Sequence, residues 1–161
     1  MSKIQSLIAH FNDHGERRSK AAAAKIARLG RTAIPDLIAA LQSSPNVRIR
    51  RWSAYALRLF RDPHVVAPLK KSVKDPNMSV RMLAMESLES VIGTKAGKHI
   101  LPLLKDESGG VRARAIDCLA RLNYRPAVHP LTRALKGEKW YVRDGAARAL
   151  ELIRGKKLAS S

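Results

Sequence analysis

Arg51, Trp52, Tyr55 and Arg58 stand within eight residues of one another in a chain of only 4% aromatic content. Spacings of three, four and seven residues put such side chains on adjoining rows of one helix. An arginine offers forked N–H donors that match a phosphate, and an aromatic ring offers a face on which a base or a peptide side chain can stack. The quartet therefore reads as a stacking and phosphate-contact site. The competing reading is that Trp52 and Tyr55 pack onto neighbouring helices. Lys20 and Arg28 lie on the same helix face one period earlier in the sequence.

The charge balance supports an anionic ligand. Lys and Arg total 31 against 13 acidic residues, a formal net charge of +18. A surplus of that size attracts polyanions or acidic surfaces. It lies in two blocks. Residues 14–61 hold eleven basic residues and two acidic, 62–93 hold four of each, and 94–161 hold fifteen and six. Lys74, Lys105 and Lys136 recur 31 residues apart, and Arg31, Arg61, Lys95, Arg125 and Lys156 punctuate a second set of loops. Basic columns at helix-packing pitch can follow a phosphate backbone without reading bases.

Other chemistry is thin. His10, His14, His64, His99 and His129 lack metal-ligand spacing with cysteine or acids. Cys118 is the single cysteine, which excludes an intrachain disulfide; it reads as a small packing residue. Glu86 and Asp117 share a column near Tyr55 and Arg148. Asp117 has Arg114 and Arg121 at helical spacings, which favours an ion pair over catalysis. Gly109-Gly110 is a turn, not a phosphate loop. No catalytic residue, metal or cofactor is expected. The start lacks the apolar stretch of a signal peptide, and no run reaches the length of a membrane span, so a soluble, cytoplasmic, monomeric protein with no membrane partner is expected.

What positions these side chains is an internal repeat. Ile49, Val80, Val111 and Val142 lie 31 apart, with Arg18 on the same grid. Four residues on come Ala22, Ser53, Ala84, Ala115 and Ala146; eight on come Ile26, Leu57, Leu88, Leu119 and Leu150. Eleven on come Leu29, Phe60, Val91, Leu122 and Ile153. These offsets mark one face of a helix. Upstream, Leu7, Ile38, Leu69, Ile100 and Leu131, then Phe11, Gln42, Val73, Leu104 and Leu135, mark a second helix. Gln42 breaks its column, and Leu41 beside it implies a one-residue slip. Pro35, Pro68 and Pro130 sit near helix starts, where a missing N–H costs little. Pro102 is out of register, so its helix should start late or bend.

The pattern predicts an all-α, right-handed α-solenoid of five helix–turn–helix repeats, approximately 3–29, 34–60, 65–92, 97–122 and 127–154. They form one domain, 1–154, with a disordered basic tail, 155–161. Stacking the pairs buries stripes that no pair could bury alone. The units Asp75-Pro-Asn-Met-Ser-Val-Arg81 with Ala84 and Leu88, and Trp140-Tyr-Val-Arg143 with Ala146 and Leu150, resemble HEAT repeats of the phycobilisome-lyase-like type. The resemblance covers nearly the whole chain. It implies the solenoid, with the second helices lining a concave side. It also implies that the Arg after each anchor pairs with an Asp in the preceding turn: Asp75 with Arg81, Asp106 with Arg112. Arg50 and Arg143 have Ser44 and Gly137 at that turn position, so each either borrows an Asp from an adjacent repeat or meets a ligand.

The candidate binding set is Lys20, Arg28, Arg50, Arg51, Trp52, Tyr55, Arg58, Lys74, Lys105, Arg114, Arg121, Lys136, Arg143 and Arg148. The expected function is a non-enzymatic module that binds nucleic acid, DNA or RNA, through backbone phosphates along the groove and edges. An acidic protein partner is the alternative. A glycosylase-type DNA enzyme, with Asp117 as its acid, and a bilin lyase stand below it.

Overall fold

A computed structural model of the protein describes residues 2–13, 15–136 and 139–155. His14, Gly137, Lys156 and the rest of the expected tail lie outside the described residues. Those residues form an all-helical α-solenoid fold without a strand. Two compact units divide it, Met1–Val91 and Ile92–Ser161.

In the first unit the helices are α1 (Lys3–Ala9), α2 (Glu16–Arg28), α3 (Ile34–Ser43), α4 (Val47–Leu57), α5 (Val66–Ser72) and α6 (Met78–Ile92). α1 packs on α2 and α3 on α4, in each case a first helix on the longer one that follows. Each class also packs on its own kind: α2 on α4, α1 on α3, α3 on α5. The link from α4 to α6 includes a buried hydrogen bond, in which the Ser87 hydroxyl donates to the Ala54 carbonyl at 2.9 Å.

The second unit repeats this plan. α7 (Gly97–Ile100) continues as a 3-10 helix over Leu101–Lys105, and both pack on α8 (Gly109–Arg121). α9 (Val128–Ala134) packs on α10 (Trp140–Ile153), and α10 packs on α8. Pro102 does not delay its helix, which begins at Gly97. Instead the backbone tightens from α to 3-10 immediately before it. Proline has no N–H for the α-helical ladder and its ring crowds the preceding turn.

Burial follows the columns. Ala22, Ser53, Ala84, Ala115 and Ala146 are buried, as are Ile26, Leu57, Leu88, Leu119 and Leu150. Small residues in the first column let neighbouring helices approach. Each large aliphatic in the second contributes roughly 1.5–3 kcal/mol of hydrophobic stabilisation. Leu41 is buried and Gln42 exposed, which is the expected one-residue slip. The buried arc is wider than the columns, however. Ala23, Ala54, Met85 and Ile116, one residue past the small column, are also inside. A helix flanked by long helices on two sides and a short helix on a third must bury more than one stripe.

Caps and left-handed residues set the boundaries. Asn46 accepts from the backbone N–H groups of Arg48 and Ile49 and starts α4. The Asp75 carboxylate accepts from Asn77 N–H and the Asn77 side chain from Ser79 N–H, which starts α6. After each long helix the chain turns through positive φ, at Gly30, Arg61, Gly93, Asn123 and Gly155. Glycine adopts this region without strain, whereas Arg61 and Asn123 carry a Cβ there.

Candidate functional site

In the first unit, α4 gathers the quartet. The Arg51 guanidinium lies over the Trp52 ring at 5.2 Å from its centroid. Trp52 meets Tyr55 edge to face, with centroids 5.3 Å apart and planes at 73°. The Arg58 guanidinium lies over Tyr55 at 4.3 Å. Two cations are thereby fixed on a pair of aromatic rings. Arg51, Tyr55 and Arg58 are half-buried, but Trp52 is only 4% exposed.

Of the two readings of Trp52, its burial favours packing over an open stacking face. α4 has α2 on one flank and hydrogen-bonds to α6, and the indole, at 4% exposure, offers almost no open face to a base. Lys20 joins the cluster from α2, where it pairs with Glu16 at 2.7 Å. Their mutual hydrogen bond lowers the Glu16 pKa and raises that of Lys20; Tyr55 and Arg58 perturb Lys20 further. Arg28 is exposed near the end of α2.

For Arg50 the structure takes one of the two open alternatives, a borrowed aspartate. Its Nε and Nη2 donate to the two Asp75 carboxylate oxygens at 2.9 and 3.0 Å, and Nη1 donates to the Ser44 and Pro45 carbonyls. The Arg50 and Asp75 side chains are 12% and 9% exposed. The Asp75 hydrogen bond raises the guanidinium pKa. Arg50 borrows its acid from the turn that starts α6, and its donors are spent within the fold. The expected Asp75–Arg81 pair is displaced by this bond. Among its bonds, Arg81 donates to the backbone carbonyls of Asp75 and Pro76 at 2.9 and 3.0 Å. Arg112 likewise reaches the carbonyls of Asp106 and Glu107 at 2.7 and 3.2 Å. The shared role of these arginines is to tie off the turn preceding their own helix.

Lys74 is exposed and lines a shallow groove with Lys70, Lys71 and Asp75. In the second unit Lys105 and Lys136 line a groove of about 470 Å³ with Arg133, over a floor of Leu101, Pro102, Leu104, Pro130 and Ala134. Arg114, Arg121, Arg143 and Arg148 are exposed. Arg148 pairs with Asp144, and Arg121 donates to the buried Cys118 sulfur at 3.1 Å. Asp117 is exposed on α8. Among the described residues, no cluster of three or more His, Cys, Asp or Glu is arranged to hold a metal, and no helix is long and apolar enough to cross a membrane.

Several residues escaped sequence reasoning. Asp62 is buried, accepts from the His64 backbone N–H and ring Nδ1 at 2.9 and 2.7 Å, and meets Arg31 at 3.2 Å. Its sequence signal is an Asp-Pro pair at a helix start. Arg133 completes the Lys105–Lys136 groove from outside any column. Trp140, which the sequence offered only as part of the repeat signature, is 72% exposed.

Comparison with known proteins agrees with this architecture. A family model for HEAT repeats matches residues 4–89 and 97–160. No curated protein matches the sequence. Among solved structures, the complex of CpcE and CpcF of phycocyanin lyase from Nostoc sp. PCC7120 is similar over 96% of this chain, at 20% identity and a TM-score of 0.67. This chain spans 66% of the length of that one. An engineered protein is similar over 95% of this chain and 80% of its own, at 19% identity and a TM-score of 0.58. A designed armadillo repeat protein in complex with the peptide (KR)4 is similar over 94% and 82%, at 17% identity and a TM-score of 0.55. These likenesses support the fold, and the match of the repeat model to most of the sequence shows that the chain belongs to the HEAT-repeat family.

Proposed function

We propose that this HEAT-repeat chain is a non-enzymatic binding module for nucleic acid, engaging backbone phosphates through its exposed and ring-stacked cations. The observation that carries the reading is the array Arg51–Trp52–Tyr55–Arg58. A guanidinium lying over a ring keeps its N–H edge available, so Arg51 and Arg58 present forked donors in a fixed geometry at little further entropic cost. Around them the surplus of +18 supplies long-range attraction. The buried Trp52 removes base stacking from this cluster and leaves phosphate contact as its chemistry. Binding of labelled oligonucleotides, followed by anisotropy at several salt concentrations, tests the proposal. Affinity should fall steeply with salt, with a log–log slope of about −0.9 per duplex phosphate contact. Absence of binding at low salt sinks it.

An acidic protein partner is the second reading, favoured by one observation. The groove at Lys105, Arg133 and Lys136 has an apolar floor, which suits an acidic segment carrying aliphatic side chains better than it suits a sugar–phosphate chain. Two similar structures are complexes with a protein or peptide.

A further inference from the structure

We propose that Trp140 is a stacking platform for an unpaired base, which makes single-stranded nucleic acid the preferred ligand class of the second unit. The inference rests on the nucleic-acid reading above and adds to it a site that reads strandedness.

Seven aromatic residues occur in the chain. Phe11 and Trp52 are buried, and Tyr55, Phe60, Tyr124 and Tyr141 are half-buried. Trp140 stands apart at 72% exposure. It opens α10, outside the apolar stripe, so packing of the solenoid does not require an aromatic there. Its ring is nevertheless oriented. Trp140 meets Tyr141 edge to face, with centroids 5.9 Å apart and planes at 88°. Tyr141 is itself set against α8: a Cβ on Gly109 would overlap the Tyr141 hydroxyl, so the glycine leaves room for this approach. The indole is thus backed by a side chain seated against a neighbouring helix, yet most of its surface stays open.

The surroundings are cationic. Lys139 precedes it and Arg143 follows three residues on, a spacing that places Arg143 beside it on the helix surface; both are exposed. A stacked base carries its phosphate a few ångströms away, within reach of such side chains. Every base has a π-face, so stacking tolerates sequence, but a base paired within a duplex has no face to offer. An open indole between cations therefore selects unpaired strands.

The two tryptophans give the test its readout, because Trp52 is buried and Trp140 exposed. Labelled oligothymidylate, a duplex of equal length and inorganic polyphosphate are titrated against the wild-type chain, Trp140→Phe and Trp140→Ala. Anisotropy and tryptophan emission are recorded together. Oligothymidylate is expected to quench the exposed tryptophan, while polyphosphate competes for binding without quenching. Trp140→Ala should weaken single-strand affinity by about 5- to 150-fold, with little change for duplex and an unchanged salt slope. Trp140→Phe, which keeps a ring, should lose less. If oligothymidylate binds but emission is unchanged and Trp140→Ala stays within twofold of wild type, the stacking site is overturned while the nucleic-acid reading stands. Equal quenching by duplex overturns the strand preference. If no oligonucleotide binds at low salt, both readings fall. Protection of Trp140 from a soluble quencher that rises with protein concentration alone assigns the face to a second copy of the chain and overturns the proposal.

Discussion

The Arg50 guanidinium forks onto the Asp75 carboxylate across 25 residues of sequence, with N–O distances of 2.9 and 3.0 Å. It joins α4 to the turn that starts α6. Both side chains are nearly buried, so loss of either leaves the other charged and desolvated. Asp75→Ala should lower unfolding stability by about 1–3 kcal/mol in urea melts. Arg50→Ala combined with Asp75→Ala should cost less than the two single changes added together. Melts of Asp75→Ala that overlay wild type would make the contact a bystander.

The same geometry separates neighbouring arginines by role. Arg51 holds its guanidinium over Trp52, whereas Arg50 spends its donors on Asp75 and two carbonyls. Arg51→Ala should make the salt dependence of duplex binding shallower by about 0.9 in log–log slope, and Arg50→Ala should leave the slope unchanged. Oligonucleotide anisotropy over a salt series decides it. Equal slopes for wild type and Arg51→Ala would remove Arg51 from the interface.

The columns from Ala22 to Ala146 and from Ile26 to Leu150 were legible because a buried helix face writes its period into the sequence. Even the slip at Leu41 could be read, since Gln42 cannot fill an apolar slot. Trp52 was not legible. Stacking and packing both stayed open for it, because a single-helix stripe says nothing of its flanks. The partner of Arg50 was legible only as one of two alternatives for a similar reason. Asp75 is closer in sequence to Arg81, yet its carboxylate takes the Arg50 guanidinium from α4, while Arg81 donates to carbonyls of its own turn. The exposure of Trp140 was hidden by its place in a repeat signature. A motif position is read as structural unless something shows what covers it.

Arg61 carries a Cβ at φ 47°, where the loops after α2, α6 and α10 use glycine. A left-handed residue with a Cβ costs roughly 1–2 kcal/mol, and glycine offsets part of that gain through its freer unfolded chain. Arg61 is exposed, so its replacement strands nothing. Arg61→Gly should raise unfolding stability by up to about 1 kcal/mol in urea melts, despite removing a surface cation. A fall in stability would mean that the arginine side chain makes a contact outweighing the backbone strain.

Asp62 supplies the acid limb of the pH dependence. Its buried carboxylate accepts the His64 backbone N–H first, then the His64 ring, with the Arg31 cation adding to both; together these hold its pKa below the ordinary carboxylate value. A carboxylate depressed in the folded state is more protonated in the unfolded chain at acid pH. Its contribution is therefore fully present above the unfolded pKa of about 4 and is lost as pH falls through that value toward the folded one. Asp62→Asn keeps an oxygen for the His64 N–H but removes the charge that faces Arg31. The gap in unfolding free energy between wild type and Asp62→Asn should narrow as pH falls below about 4, the ordinary carboxylate value. Comparing the pair cancels the titration of the other acids, which both proteins share. A gap that stays level from pH 7 to pH 2.5 would show that the hydrogen-bonding oxygen at position 62 matters and its charge does not.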